Sequence, residues 1–195
     1  MTDRIVVRPG KKSEALTIAK LFQISSGGVT DYIWHTYEGE YSGLSGVEIG
    51  AECYKREEGL FSYQHCLVAH MDGEISGMAH SYVMNASTEP LADDSDLVLR
   101  PYTQLKEDTS LYISGLAVFK DFRNQNIGTQ LMAVLSRRAC LLGCPSMSLL
   151  VFEQNEAALR FYVRQGFEEV ARCPSNPHPL LRYSGDVLLM RRIQI

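Results

Sequence analysis

Long apolar runs are missing from this sequence. Met1-Thr2-Asp3-Arg4 leads into an apolar run of three residues, Ile5 to Val7. We therefore expect neither a signal peptide nor a transmembrane span, and no membrane partner. Concentrated positive charge is missing as well. The net charge is −4, there is no basic tail, and no Lys/Arg cluster exceeds a pair such as Arg191-Arg192. That argues against a nucleic-acid partner. The 5 cysteines are odd in number and lack metal-ligand spacing, which points to a reducing compartment, the cytoplasm, and to no metal. Cys140 and Cys144 lie four apart, but no further ligands stand nearby in sequence. They read as buried or part-buried thiols rather than half of a zinc site. Internal repeats and low-complexity segments are also absent.

What is present is an ordinary globular composition, 45% apolar and 22% charged over 195 residues. A chain of this length buries most of its apolar surface without staples. We read it as a single domain over 1–195. Ile5 to Arg8 is strand-like and Pro9-Gly10 ends it. Ser13 is placed to cap a helix in which Ala15, Ile18, Ala19 and Phe22 share a face, and Gly27-Gly28 stops that helix. Residues 29–60 read as further helix and loop with poor periodicity. Cys66 to Met71 and Glu74 to Met84 form a hairpin around Asp72-Gly73. Residues 85–109 are polar and acidic, with Pro90 and Pro101, and read as an insertion or long loop.

Leu111 to Phe119 is the next strand, and a helix follows from about Ile127 to Leu142 with Gly143 past its end. Met147, Leu149 and Val151 alternate as a strand does. A helix opens at Asn155 and closes at Gly166. Phe167 to Cys173 and Asp186 to Ile193 are closing strands around a proline-rich loop. The order β-α-(α)-β-β-β-α-β-α-β-β, with hairpins on either side of a helical crossover, predicts an α/β fold with a mixed sheet of six to seven strands flanked by helices.

The informative stretch is Leu116-Ala117-Val118-Phe119-Lys120-Asp121-Phe122-Arg123-Asn124-Gln125-Asn126-Ile127-Gly128-Thr129. A buried strand stops, a short turn follows, and a helix starts at a glycine. The first amides of a helix lack internal partners and point outward. With the helix dipole they make an anion site suited to a phosphate or diphosphate. Gly128 lets a ligand approach the backbone because no Cβ intervenes. Further along stands Asn155-Glu156-Ala157-Ala158-Leu159-Arg160-Phe161-Tyr162-Val163-Arg164-Gln165-Gly166-Phe167.

Together these two segments resemble the GCN5-related N-acetyltransferases. That family has an Arg/Gln-x-x-Gly-x-Gly/Ala loop after its fourth strand. It also has an Asn-x-x-Ala-x-x-Phe-Tyr-x-x-x-Gly-Phe helix after its fifth. The resemblance covers roughly residues 4–173. One position departs: Asn126 stands where the family has its first loop glycine. Asparagine tolerates left-handed backbone angles, so phosphate binding by the loop is expected to survive.

The resemblance implies the acyl-CoA N-acyltransferase fold, with acetyl-CoA as co-substrate and a primary amine, a small molecule or a peptide, as acceptor. Transfer would be direct, in a ternary complex. The backbone of Leu116, Ala117 and Val118 would pair with the pantetheine arm. Amides of Arg123, Asn124, Gln125, Asn126, Ile127, Gly128 and Thr129 would hold the diphosphate. Asn155 would contact the cofactor, and Tyr162 would reach the thioester sulfur as the catalytic acid. The family bulges this fourth strand, and Gly115 is the expected place for it. Members often form homodimers, and the final strand is a place to pair.

The general base stays open among His80, Glu107 and Asp108, because Tyr112 and Ser114 on the fourth strand are poor bases. His80 also reads simply as a part-buried strand histidine. The acidic residues Glu89, Asp93, Asp94 and Asp96 would attract a cationic amine or merely solvate a loop. Asp31-Tyr32-Ile33-Trp34 and Phe61-Ser62-Tyr63 would line the acceptor pocket or pack in the core. A catalytically silent acyl-CoA sensor or subunit is the alternative function.

Overall fold

The structure, a computed structural model, describes residues 5–85 and 95–194. Its elements are β1 (Val6–Pro9), α1 (Ala15–Ser25), α2 (Val29–Thr36), α3 (Gly46–Lys55), β2 (Cys66–Met71), β3 (Glu74–Val83), α4 (Arg100–Gln104), β4 (Leu111–Val118), α5 (Ile127–Leu141), β5 (Ser146–Phe152), α6 (Glu156–Arg164), β6 (Glu168–Pro174) and β7 (Asp186–Ile193). The strands form a 7-stranded mixed sheet in the order β1-β2-β3-β4-β5-β7-β6. β4 and β5, joined through α5, run parallel, and Leu111, Tyr112 and Ile113 face Met147, Ser148 and Leu149. β7 is antiparallel to both β5 and β6. The final strand therefore has a neighbour on each side. The sheet edges are β1 and β6, which removes β7 as the expected place for dimer pairing.

The chain divides into two compact units, one of residues 1–81 and 115–134, the other of 82–114 and 135–195. In the first, α1, α2 and α3 cover the β1–β2–β3 hairpin region. Ile18, Leu21, Phe22, Trp34, Ile49, Tyr54, Val68, Met78 and Ala117 make one apolar core there. The Trp34 indole lies so tightly over Gly50 that any side chain at that position would collide with it. Ser45 and Glu48 open α3 as a capping box, with the Ser45 amide 2.8 Å from the Glu48 carboxylate. Ser13 does not cap α1. It sits inside a 3-10 turn, Lys12–Glu14, that Glu14 closes by accepting the Lys11 amide at 2.9 Å. Asp72 and Gly73, at φ 53 and 86, make the tight turn of the β2–β3 hairpin.

In the second unit β5 and β7 supply the core through Met147, Leu149, Val187, Leu189 and Met190. Residues 85–109 are not all loop. The Asp96 carboxylate accepts the Val98 and Leu99 amides at 2.9 and 3.1 Å and leads into α4. Pro101 occupies the first turn of that helix, where its missing N–H costs nothing. Glu89, Asp93 and Asp94 lie outside the described residues. Among the described residues no helix is long and apolar enough to cross a membrane.

Candidate functional site

The first unit holds the strand–turn–helix segment. Along β4 burial alternates from Ser114 on: Gly115 and Ala117 are buried, while Ser114, Leu116 and Val118 are half-buried. Gly77 on β3 sits where a Cβ would stand 2.9 Å from the Ala117 carbonyl, so a side chain there would crowd β4. The Met84 amide donates to the Ser110 carbonyl, and the Phe119 amide donates to the Ser76 carbonyl. The Tyr82–Tyr112 ring contact at 5.4 Å fits the same register as the first of these bonds. Between the two points β4 uses one residue more than β3. The extra residue is a bulge, and the interval that holds it includes Gly115.

After β4 the chain makes a 3-10 turn at Lys120–Phe122 and enters α5 at Ile127. The Arg123 Nε donates to the Val118 carbonyl at 3.2 Å, tying the loop to the strand end. The Gln130 amide bonds back to the Asn126 carbonyl at 3.1 Å. Among the described residues, the amides of Asn124 through Thr129 donate to no protein acceptor. Asn124 and Asn126 have φ of 62 and 64. Both sit in the left-handed region, which turns successive amides toward one concavity and suits an anion. Sequence reasoning flagged only Asn126. Asn124 carried the same signal, an asparagine in a turn ahead of a helix. Arg123 to Asn126 are exposed, while Ile127 is buried and anchors the helix start.

The second unit holds α6. Asn155 is its N-cap, with the side-chain oxygen accepting the Ala158 amide at 3.3 Å. That bond uses the carboxamide oxygen and leaves its NH₂ donors for another partner. Tyr162 is two turns further along the same helix. It is buried between Phe161 and Phe167, at ring distances of 5.3 and 5.8 Å. Burial pushes its phenol up to about 12. Tyr82, Tyr102 and Tyr112 belong to the same unit, and burial also holds each of them above the ordinary tyrosine range.

The candidate bases separate. His80 is fully buried in the first unit, stacked on Phe61 at 5.4 Å and edge-on to Phe22 and Tyr54. Its Nε2 lies 2.9 Å from the Leu60 carbonyl, which assigns the proton to that nitrogen. The plainer reading, a packed strand histidine, accounts for all of this. In the second unit Glu107 pairs with Arg191 at 3.2 Å, and Asp108 is exposed. Of the acceptor-pocket candidates, Trp34 and Phe61 pack in the first core and Asp31 takes a 2.5 Å bond from Gln23. Cys140 is exposed rather than part-buried, while Cys144 is buried. Among the described residues no group of three or more His, Cys, Asp or Glu could hold a metal ion.

The model of the acetyltransferase (GNAT) family matches residues 30–167, a span that includes the β4–α5 loop and all of α6. A curated relative, GCN5-related N-acetyltransferase 10, chloroplastic, of Arabidopsis thaliana, is 26% identical over 160 residues. The match covers 82% of this chain and 59% of that protein, so the chain spans less than two thirds of its relative's length. Among solved structures, an acetyltransferase aligns with TM-score 0.68 at 20% identity, covering 97% of this chain and 100% of the other. An N-acetyltransferase from Staphylococcus aureus Mu50 aligns at 0.64 and 21%, covering 95% and 99%. A chain of the NatC complex bound to Gag peptide and CoA aligns at 0.60 and 15%, covering 98% and 99%. At those identities the structures speak for the fold, and the matched family model speaks for descent: the chain belongs to the GNAT family of acetyltransferases.

Proposed function

We propose that this chain transfers an acetyl group from acetyl-CoA to a primary amine by direct attack in a ternary complex. The observation that carries the reading is the run of unpaired amides from Asn124 to Thr129 at the head of a 15-residue helix. Such a run is open to an anionic ligand, and a diphosphate suits it best. Residues 116 to 118 would present backbone groups to the pantetheine arm. Arg123 to Thr129 would hold the diphosphate. The spare NH₂ of Asn155 would donate to the cofactor.

Aminolysis of the thioester needs proximity, an oxyanion donor and proton movement. Proximity supplies on the order of 7–11 kcal/mol, and loss of one oxyanion donor costs roughly 2.7–4 kcal/mol. A lysine-like amine must lose a proton, which costs about 4.6 kcal/mol at pH 7 and calls for a water relay or desolvation. Tyr162 is our choice for the acid that protonates the leaving thiolate. With its phenol at about 12, donation to an ordinary thiolate is uphill by about 5 kcal/mol. The burial that raises the phenol also raises the proton affinity of a thiolate beside it. The gap then narrows toward the roughly 2 kcal/mol that separates the two groups in water.

The sequence holds no concentrated basic region, which supports a small-molecule or peptide amine over nucleic acid. No disulfide forms among the cysteines, which supports a reducing compartment, and the cytoplasm and the plastid interior both qualify. The test is CoA release, followed with a thiol reagent across a panel of amines. Release that depends on an amine supports transfer. Acetyl-CoA binding with no release from any amine would sink the enzymatic reading.

A further inference from the structure

We propose that Phe22 limits the acyl group this chain accepts to acetyl, a proposal that rests on the acyl-CoA reading above. Phe22 descends from α1 onto β4 at Gly115. A Cβ built on Gly115 would stand 2.7 Å from two carbons of the Phe22 ring and 2.7 Å from the Ser25 hydroxyl. The ring therefore occupies the place where a side chain of β4 would be, and glycine is the residue that permits this. The same stretch of β4 carries the extra residue, next to the segment assigned to the thioester end of the pantetheine arm.

The ring is held from several sides. Tyr54, Phe61 and His80 contact it edge-on at 5.6, 5.8 and 5.5 Å. His80 is itself fixed by its stack on Phe61 and its bond to the Leu60 carbonyl. A buried ring braced on three sides in a close-packed core does not move aside cheaply. Ser25 is fixed too, because its hydroxyl donates to the Phe22 carbonyl at 2.7 Å. An acyl chain that extends along Gly115 meets a rigid wall rather than a yielding one. This also gives the buried His80 a role. It packs edge-on against the Phe22 ring and helps to hold the wall.

The test is calorimetric titration of acetyl-, propionyl- and butyryl-CoA into the wild-type protein, Phe22→Leu and Phe22→Ala. Binding is read directly, so the acceptor need not be known. The wild type should bind butyryl-CoA at least about tenfold more weakly than acetyl-CoA, since a methylene in a tight pocket is worth that much. Phe22→Leu should narrow the gap, and Phe22→Ala should close it. Butyryl-CoA should also raise the melting temperature of Phe22→Ala more than acetyl-CoA does, because it fills the opened space. If Phe22→Ala does not fold, Phe22→Leu carries the test. Equal binding of the acyl-CoAs by the wild type overturns the Phe22 assignment alone. So does discrimination that is the same in wild type and variants. Failure of every acyl-CoA to bind the wild type overturns the acyl-CoA reading and this proposal with it.

Discussion

The β4–α5 loop and helix α6 solve opposite problems. The loop is exposed, leaves its amides unpaired from Asn124 to Thr129, and holds two asparagines in left-handed backbone. Helix α6 satisfies its own start through Asn155 and buries the one phenol we assign to chemistry. A polyanion comes with a large solvation shell and must be met by many preset dipoles. A proton donor for a single sulfur must instead be kept neutral and dry. Unpaired amides in the open and a buried phenol in the core are two ways to hold groups ready. Mutations should therefore separate affinity from stability in the loop, and rate from affinity in the helix.

The largest separation is expected at Gly128. Gly128→Asp places a carboxylate in the first turn of α5, which favours the helix by roughly 0.3–1 kcal/mol. The same charge repels a diphosphate and should weaken acetyl-CoA binding by on the order of a hundredfold. A urea melt and a titration on one sample read both, and parallel losses would break the comparison. Next, Tyr162→Phe should lower kcat by about tenfold or more with acetyl-CoA affinity nearly intact. An unchanged kcat would remove the acid role.

Alkaline titration tests the buried phenols of the second unit together. Tyr82, Tyr102, Tyr112 and Tyr162 all ionise less readily when folded. The unfolded chain releases those protons at about pH 10 while the folded one keeps them. Stability is thus unaffected by these groups below about pH 10 and falls as pH climbs above it. Tyr112→Phe should lessen that fall, measured as the urea midpoint against pH. The smallest effect is at Asn155. Asn155→Asp keeps a capping oxygen and should hold stability within about 0.5 kcal/mol, whereas Asn155→Ala should lose about 1 kcal/mol. Both remove the NH₂ donor and should weaken acetyl-CoA binding alike. A loss confined to Asn155→Ala would reduce Asn155 to a cap.

Where local chemistry decides the fold, the sequence was readable. Asp72-Gly73 announced the hairpin, Gly27-Gly28 ended α1, and the parallel β4–α5–β5 crossover followed from a helix between two strands. Asn126 is a residue fit for left-handed backbone, and its φ of 64 agrees. Where packing decides, the sequence was opaque. Residues 29–60 show little periodicity in sequence because α2 and α3 are short and their buried faces mix Thr30, Gly50 and Cys53 with the apolar residues. Ser45-x-x-Glu48 is a capping-box signal that marks the start of α3. Helix α4 hid behind Pro101, which reads as a breaker until its place in the first turn is known. The sheet order hid too: nothing local tells β7 to insert between β5 and β6. The role of His80 turned on the rings around it, which come from α1, α3 and the segment before β2.

The central claim is that the loop from Arg123 to Thr129 holds an acyl-CoA diphosphate. Titration of acetyl-CoA into the wild-type protein and into Gly128→Asp, with the fold of each checked by its unfolding midpoint, tests it most directly. The account predicts saturable binding to the wild type and loss of binding by a variant that is at least as stable. Equal affinity in the two proteins, or no binding to either, would contradict it.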